Sequence, residues 1–371
     1  MASTLDGAVI RPYRPADRDR FLSLYERVWG RRKGVDWFEW RFERNPYADG
    51  VEMVVAERDG RLVGAEPLLP LRLRVDDAEL RAHQPVDWIV DPDHRRQGLF
   101  TRMTERLLDR YAESADLLFN FPSDQLLPGL EKFDWRRVGP VPQVYRVQNP
   151  PALLAHKAGG TVRPGGSLLA RLSAPAVDGW LRALDALDRG TGGVEVERHD
   201  AVPVADLVAL AAEGRPDAVH VARDAAFYGW RFGNPRWETT TYLARRAGDP
   251  VAAVVAATER VDGVDCTSLL DVQPMDGRRD RAGAVAALLR AVVADGREAD
   301  VLKAVAGPYA RPLSRRGFRR DDGFPLSRVA TRTTQVVRPL SADGEPDWTC
   351  RGRDLTDPDN WRLALADLDV E

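Results

Sequence analysis

Trp40-Arg41-Phe42, followed by Asn45-Pro46, returns far down the chain as Trp230-Arg231-Phe232, followed by Asn234-Pro235. Other landmarks return in the same order. Val86-Asp87 is echoed by Leu270-Asp271, the apolar helical stretch after it by Ala284 to Val293, and Leu130 to Arg137 by Leu313 to Arg320, at separations between 183 and 190 residues. Chance does not hold four landmarks in order at nearly one spacing. The period is domain-sized and too long for a solenoid, so the chain reads as two copies of one fold in tandem. Its 371 residues suit two to three domains. The boundaries are set at 1–148 for the first copy, 149–192 for a linker with helices, 193–337 for the second copy and 338–371 for a docked tail.

Within the first copy, residues 86 to 111 read as a strand, a basic glycine loop and an amphipathic helix. Leu99, Met103 and Leu107 recur at i+4, and Phe100, Leu108 and Tyr111 widen the same apolar stripe. A loop that ends at a helix N-terminus points unpaired N–H groups and the positive end of the macrodipole outward, which favours a phosphate. Arg95 and Arg96 add charge, and Gly98 permits a close approach to the backbone.

This stretch resembles motif A of the GNAT acyl-CoA-dependent N-acetyltransferases, in which Arg or Gln, two residues, Gly, one residue, then Gly or Ala wrap the CoA pyrophosphate. The matching residues are Arg95-Arg96-Gln97-Gly98-Leu99-Phe100, preceded by Val90-Asp91-Pro92-Asp93-His94. Phe100 replaces the small residue, so its side chain must turn away from the phosphates and into the core. The resemblance extends to a strand at Ile10-Arg11-Pro12, a helix from Asp17 to Trp29, a hairpin of Met53 to Glu57 and Leu62 to Leu69 about Asp59-Gly60, and a buried strand from Leu117 to Phe121. Leu130-Glu131-Lys132-Phe133-Asp134-Trp135 is similar to the family's terminal Tyr-Glu-Lys-x-Gly-Phe signature. The implied fold class is α/β (α+β): two tandem GNAT folds, each a mixed, largely antiparallel twisted sheet flanked by helices.

The resemblance also implies acetyl-CoA as cosubstrate and a small acceptor with a primary amine. Its splayed strand falls at Val86 to Val90, which assigns the thioester contacts to the main chain of Ile89 and Val90. Ser123 occupies a place where the family often has Asn. Transfer would be direct, and the attacking amine must be uncharged because an ammonium has no lone pair. Alternation can aim Asp87 on the cofactor strand, or Glu66 on its hairpin neighbour, into the cleft as the base. Asp87 equally suits a structural role, and the tail carboxylates are a third option if that segment folds over the cleft. Leu130 stands where the family carries its acid tyrosine, so Tyr145 or water serves, or the chain binds CoA without turnover. The Fem-type ligases also pair GNAT folds but use aminoacyl-tRNA; the intact loop and the lack of a strongly basic domain oppose that alternative.

The second copy is less equipped. Its loop reads Gly277-Arg278-Arg279-Asp280-Arg281-Ala282-Gly283-Ala284, with the glycine displaced and Asp280 where phosphate should sit. It reads as a degenerate copy that walls or supports the first cleft. In the tail, the alternation of Trp361-Arg362-Leu363-Ala364-Leu365 suits a strand. Between the copies, a helical patch at Ala152 to Lys157 precedes the flexible Gly159-Gly160, and Leu168 to Leu187 suits further helix. Trp37, Trp40, Trp88 and Trp135 suit packing better than an acceptor pocket: Trp37 and Trp40 share a helical face at i, i+3, and Trp88 faces the core if Asp87 faces the cleft.

Composition narrows the partners. A net charge of -3 argues against nonspecific nucleic-acid binding. Two cysteines supply neither a disulfide framework nor a cysteine-based zinc site, and the five histidines lack ligand spacing, so no metal is expected. Met1 to Gly7 lacks the pattern of a secretory signal, and no run reaches the length of a membrane span. A cytoplasmic protein without a membrane partner is the expectation, with oligomer formation left open.

Overall fold

The computed structural model describes residues 4–5, 7–157, 164–187, 193–261, 263–328, 330–341 and 345–369. Gly159 and Gly160 of the expected linker, residues 342–344 of the tail and Glu371 lie outside these residues. The first copy runs β1 (Thr4–Leu5), β2 (Ala8–Pro12), α1 (Arg18–Trp29), α2 (Val35–Phe38), β3 (Met53–Arg58), β4 (Arg61–Val75), β5 (Ala78–Pro85), β6 (Ile89–Val90), α3 (Leu99–Tyr111), β7 (Leu117–Asn120), α4 (Leu127–Glu131), β8 (Arg136–Val141) and β9 (Gln143–Val147). Helices α5 (Pro150–Lys157) and α6 (Pro164–Leu187) connect it to the second. That copy runs β10 (Glu195–His199), α7 (Val204–Glu213), β11 (His220–Val221), α8 (Ala225–Arg231), β12 (Glu238–Arg246), β13 (Asp249–Val261), β14 (Val264–Gln273), α9 (Ala282–Asp295), β15 (Val301–Val305), α10 (Ala310–Arg315), β16 (Arg319–Arg320) and β17 (Thr333–Pro339). A small hairpin, β18 (Thr349–Cys350) and β19 (Arg353–Asp354), opens the tail.

Local chemistry accounts for the main elements. Gly30, at φ 67°, stops α1 with its N–H on the Glu26 carbonyl. Asp59 and Gly60 both hold positive φ at the β3–β4 turn, as a tight two-residue hairpin requires. The matching turn of the second copy falls at Ala247-Gly248, again with positive φ at both residues. Met103, Leu107 and Tyr111 of α3 bury against the first sheet, and a Cβ on Gly64 would come within 2.8 Å of Met103, so this glycine lets the helix seat closely.

The sheets depart from the expected division at 148. The first orders its strands β1-β2-β3-β4-β5-β7-β17-β8 and the second β10-β12-β13-β14-β15-β9-β16. Each copy's last strand therefore crosses to the other sheet: β17 lies between β7 and β8, while β9 lies between β15 and β16. The boundaries at 148 and 337 follow the repeat in sequence but cut across both sheets.

The repeated tryptophans meet where the copies meet. Trp40 Nε1 donates to the Trp230 carbonyl at 2.8 Å, Trp230 Nε1 donates to the Trp40 carbonyl at 2.7 Å, and the rings stack at 6.5 Å. Such reciprocal contacts are the signature of an approximate two-fold axis. One continuous apolar core joins Phe21, Trp37 and Phe38 to Phe227, Leu243 and Val255. Trp37 and Trp40 are both buried in packing, Trp37 against Tyr25 and Phe42 and Trp40 against Trp230 and Trp237, and α2 passes into a π-turn over Glu39–Glu43.

The tail is docked, but it is not the expected strand. Trp361 makes one isolated parallel bridge to Val219, and Leu365–Asp367 form a 3-10 turn in which the Asp367 carboxylate accepts the Ala364 N–H at 2.7 Å. Leu363, Ala364, Leu365 and Ala366 are all buried, so the alternation is lost to burial on every side.

Candidate functional site

Strands β5 and β7 begin in parallel register, Ala82 beside Leu117 and His83 beside Leu118, and then part. The cause is a bulge. Pro85 lies opposite Leu68 on β4 and Ile89 opposite Ala65, so the chain spends one residue more than its partner. Asp87 takes up the excess at φ 48°, a left-handed conformation uncommon for a residue with a Cβ. Beyond it, β6 follows β4, whereas β7 stays with β17. The gap is a cavity of about 940 Å³, walled by residues 85–90 on one side, residues 120–123 on the other, and by Tyr25, Arg31, Arg95 and Asp369.

The loop to α3 closes one end. Asp91 caps a short 3-10 turn by accepting the Asp93 N–H at 2.9 Å, Arg95 is extended, and Arg96 and Gly98 take φ 61° and 74°. Among the described residues no side chain caps α3, and its first turn is closed by the Arg102 N–H on the Gly98 carbonyl at 3.1 Å. Residues 95–98 are exposed. A Cβ on Gly98 would meet nothing within 4 Å, so in this structure the glycine is required by its φ and not by crowding. Arg95 Nε donates to the Val90 carbonyl at 3.2 Å, and Gln97 Nε2 donates to the Asp93 carbonyl at 3.3 Å while its Oε1 accepts from Arg58. Leu99 is buried under the helix, and Phe100 turns from the loop to pack edge-on against Trp88 and Phe133.

The expected catalytic residues separate. Asp87 stays at the cavity, its side chain 6% exposed and held by Arg41 Nε at 2.9 Å. Arg41 is 0% exposed and also pairs with Asp369 of the tail, whose side chain is 28% exposed on the cavity wall. Two carboxylates thus share one guanidinium. Glu66, by contrast, is fully buried and accepts from Thr104 Oγ1 of α3 at 3.0 Å. Burial pushes its carboxyl well above the usual range. Its place in the β4 register aims it at the helix and away from the cleft. Tyr145 lies on β9, which strand exchange carries into the second sheet; its hydroxyl donates to Gln143 Oε1 at 3.0 Å, and burial pushes the phenol up to about 12. Leu130 is buried in the core, and Ser123 sits at the exposed lip, where its carbonyl accepts the Leu126 and Leu127 N–H groups that begin α4. Trp88 packs against Phe100 on the α3 side of the sheet, while Asp87 turns the other way to Arg41.

Arg41 was not singled out in the sequence, although it lies inside the repeated Trp-Arg-Phe landmark; Asp369 is one of the tail carboxylates kept there as a third option for the base. Its counterpart Arg231 donates to the carbonyls of Ala366 and Leu368, and burial beside Arg41 pulls its pKa down to about 10. The second copy has its own buried centre. Arg223 pairs with Asp271 at 3.1 Å and with Asp367 at 2.7 Å, and Tyr228 donates to Asp271 at 3.0 Å. Where a second cleft would open, Leu363, Ala364 and Leu365 lie among Leu269, Leu270 and Val305, and only about 30 Å³ remains. At the start of α9, the Arg281 and Ala282 N–H groups are taken by the Arg278 and Arg279 carbonyls. Among the described residues, no cluster of His, Cys, Asp and Glu could hold a metal ion, and no helix is long and apolar enough to cross a membrane.

Residues 9–138 match the family model for the acetyltransferase (GNAT) domain. No curated protein sequence matches the chain. Among solved structures, a GCN5-related N-acetyltransferase from Anabaena variabilis superposes with a TM-score of 0.59 at 10% identity, over 90% of this chain and 73% of that one. One from Kribbella flavida does so with 0.58 at 14% identity, over 92% and 73%. A conserved protein of unknown function from Enterococcus faecalis, a probable N-acyltransferase, gives 0.59 at 8% identity, over 90% and 72%. At these identities the likeness is one of fold. The chain carries the GNAT-superfamily acetyltransferase fold, built in tandem on two sheets, with its GNAT domain at residues 9–138.

Proposed function

We propose that the protein is an acetyl-CoA-dependent N-acetyltransferase that moves an acyl group to the primary amine of a small acceptor. The observation that carries this reading is the uncapped start of α3, under an exposed loop with two arginines, at the mouth of the splayed cavity. The free N–H groups and the helix dipole would hold the pyrophosphate, with Arg95, Arg96 and Gln97 around it. The main chain of Ile89 and Val90 would receive the pantetheine arm, because β6 pairs with β4 along one edge and borders the cavity along the other. N–H donors directed at the thioester carbonyl would stabilise the oxyanion that forms as the amine attacks.

The amine must shed a proton first. Asp87 and Asp369 set two carboxylates against the Arg41 guanidinium at the cavity wall, where a carboxylate can receive the proton of the amine. Asp369 is the more exposed and is assigned the contact; Asp87 fixes Arg41. No phenol takes the place of Leu130, so water protonates the departing thiolate. That same substitution supports the second reading, a CoA-binding protein without turnover. The free Cys266 and Cys350 suit a reduced cytoplasm.

Thiol release from acetyl-CoA over a panel of amines tests the reading. The parent protein should turn over at least one amine, and Gly98→Asp should lower kcat/KM by about 100-fold or more, since it places a carboxylate at the phosphate site in a strained conformation. Tight acetyl-CoA binding with no thiol release from any amine would favour the second reading.

A further inference from the structure

The end of the tail is held from both copies before it reaches the cleft. Arg231, which closes α8 in the second copy, donates from Nε to the Ala366 carbonyl at 2.9 Å and from Nη2 to the Leu368 carbonyl at 3.1 Å. Gln84 of β5, in the first copy, donates from Nε2 to the carbonyl between them, that of Asp367, at 3.0 Å. Three successive carbonyls are thus taken by side chains that are themselves buried, Arg231 at 4% and Gln84 at 3% exposure. The next residue is Asp369, whose carboxylate meets Arg41 on the cavity wall.

Arg231 is the repeat counterpart of Arg41, and the two differ in what they hold. Arg41 holds carboxylates, Asp87 and Asp369. In the second copy Arg223 holds the bulge aspartate Asp271, and Arg231 holds main chain. Its guanidinium lies 5.7 Å from the ring of Trp40 and 5.3 Å from that of Trp237, so a tryptophan from each copy backs it. The carboxylates of Asp367 and Asp369 offset part of its burial. A guanidinium fork fixes two acceptors at once, where an ammonium acts as a point charge. The Leu368 carbonyl belongs to the peptide that carries the Asp369 N–H, so holding it leaves the Asp369 carboxylate only its own few torsions by which to move. Misplacement of a reacting group by about 1 Å costs about 100-fold in rate, so a clamp at this place bears on chemistry as well as on folding.

We infer that Arg231 is a positioning residue for the acyl transfer: by holding the Ala366 and Leu368 carbonyls it sets the Asp369 carboxylate where the acceptor amine gives up its proton. This inference rests on the reading of the cleft as an acyl-transfer site with Asp369 as the proton acceptor. It gives the second copy, whose own cleft is filled, a part in the chemistry of the first. Gln84, neutral and bonded to one carbonyl of this run, takes the smaller share.

Arg231→Lys keeps the charge and loses the fork. With an amine that the parent turns over, it should lower kcat by about tenfold or more while KM for acetyl-CoA stays within about twofold. The deficit should narrow as pH approaches the amine's own pKa of about 10, because free amine then enters without needing a proton acceptor. In an Asp369→Asn background the same substitution should cost almost nothing, since residues that act through one group are not additive. Gln84→Met removes a neutral donor and should repeat this pattern at about threefold, the scale of one neutral hydrogen bond; it carries the test if Arg231→Lys fails to fold. Losses of equal size in both backgrounds, or independent of pH, would assign the clamp to folding alone and overturn the inference, leaving the transferase reading standing. If no amine is turned over, the carboxyl carbon resonance of Asp369, identified by its loss in Asp369→Asn, decides. A shift of that resonance in Arg231→Lys and Gln84→Met upholds the positioning while the transferase reading falls, and an unmoved resonance overturns the positioning as well.

Discussion

The two clefts of this protein start from the same geometry and end differently. In both copies a parallel strand pair opens after a bulge, at Asp87 in the first and between Leu269 and Asp271 in the second. Both place an aspartate at the bulge, pair it with a buried arginine, and bring a tail aspartate to that arginine. The first leaves about 940 Å³ open; the second leaves about 30 Å³, because Leu363 to Leu365 fill it. The loops that lead to the two helices diverge in the same sense. Gly98 opens onto empty space, whereas a Cβ on Gly277 would come within 2.4 Å of Pro308. A gap between splayed strands can thus be closed while every strand that makes it is kept, once the chain supplies its own occupant.

The comparison implies that neither copy exists alone, since each sheet takes a strand from the other. Expressed by itself, 1–148 would lack β17 between β7 and β8 and would carry β9 with no partner. The unpaired backbone groups and exposed core would forfeit more than a domain's stability of about 5–15 kcal/mol. We expect no cooperative thermal transition by circular dichroism for 1–148; a sharp transition would show that the copies are separable and that the exchange is ornamental.

The second prediction bears on the filled cleft. Arg223 is buried between Asp271 and Asp367, so Arg223→Met would leave two buried carboxylates without their cation. Loss of one partner from such a group costs about 3–5 kcal/mol. Chemical denaturation should register a loss of that size, and protease should gain access to residues 361–369. A change below about 1 kcal/mol would mean that packing of Leu363 and Leu365 holds the tail without the charges.

How much of this was legible in the sequence depended on the range of the interaction. The stripe of Leu99, Met103 and Leu107 and the Asp59-Gly60 turn are local patterns, and each appears as read. The repeat announced two copies. What was not legible was the choice of partner. The alternation of β9 shows that one face is buried but not which sheet it joins, and so Tyr145 was placed at the wrong cleft. Asp369 reaches Arg41 across 328 residues, a pairing no local pattern encodes. The bulge was hidden for another reason: alternation presumes a regular strand, and the extra residue between Pro85 and Ile89 leaves no pattern in the sequence, although Asp87 and Trp88 still face opposite ways.

Glu66 supplies the finest contrast, because its carboxylate is sealed under α3 while Asp87 and Asp369 border the cavity. Burial raises the Glu66 pKa in the folded protein, with the hydrogen bond from Thr104 opposing the shift weakly. Unfolding returns the group to its ordinary value, so the unfolded chain gives up this proton at lower pH than the folded one. Its contribution to stability is therefore full below the unfolded-state pKa of about 4.3 and is lost progressively as pH rises toward the folded-state value. Glu66→Gln keeps the size and an acceptor for Thr104 but has no proton to release. The variant should consequently lose less stability than the parent as pH rises from the unfolded-state value of about 4.3, as followed by urea midpoints at each pH. Parallel curves for the two proteins would mean that Glu66 is ionised when folded, which would require an access of water to this site that the buried carboxyl does not have.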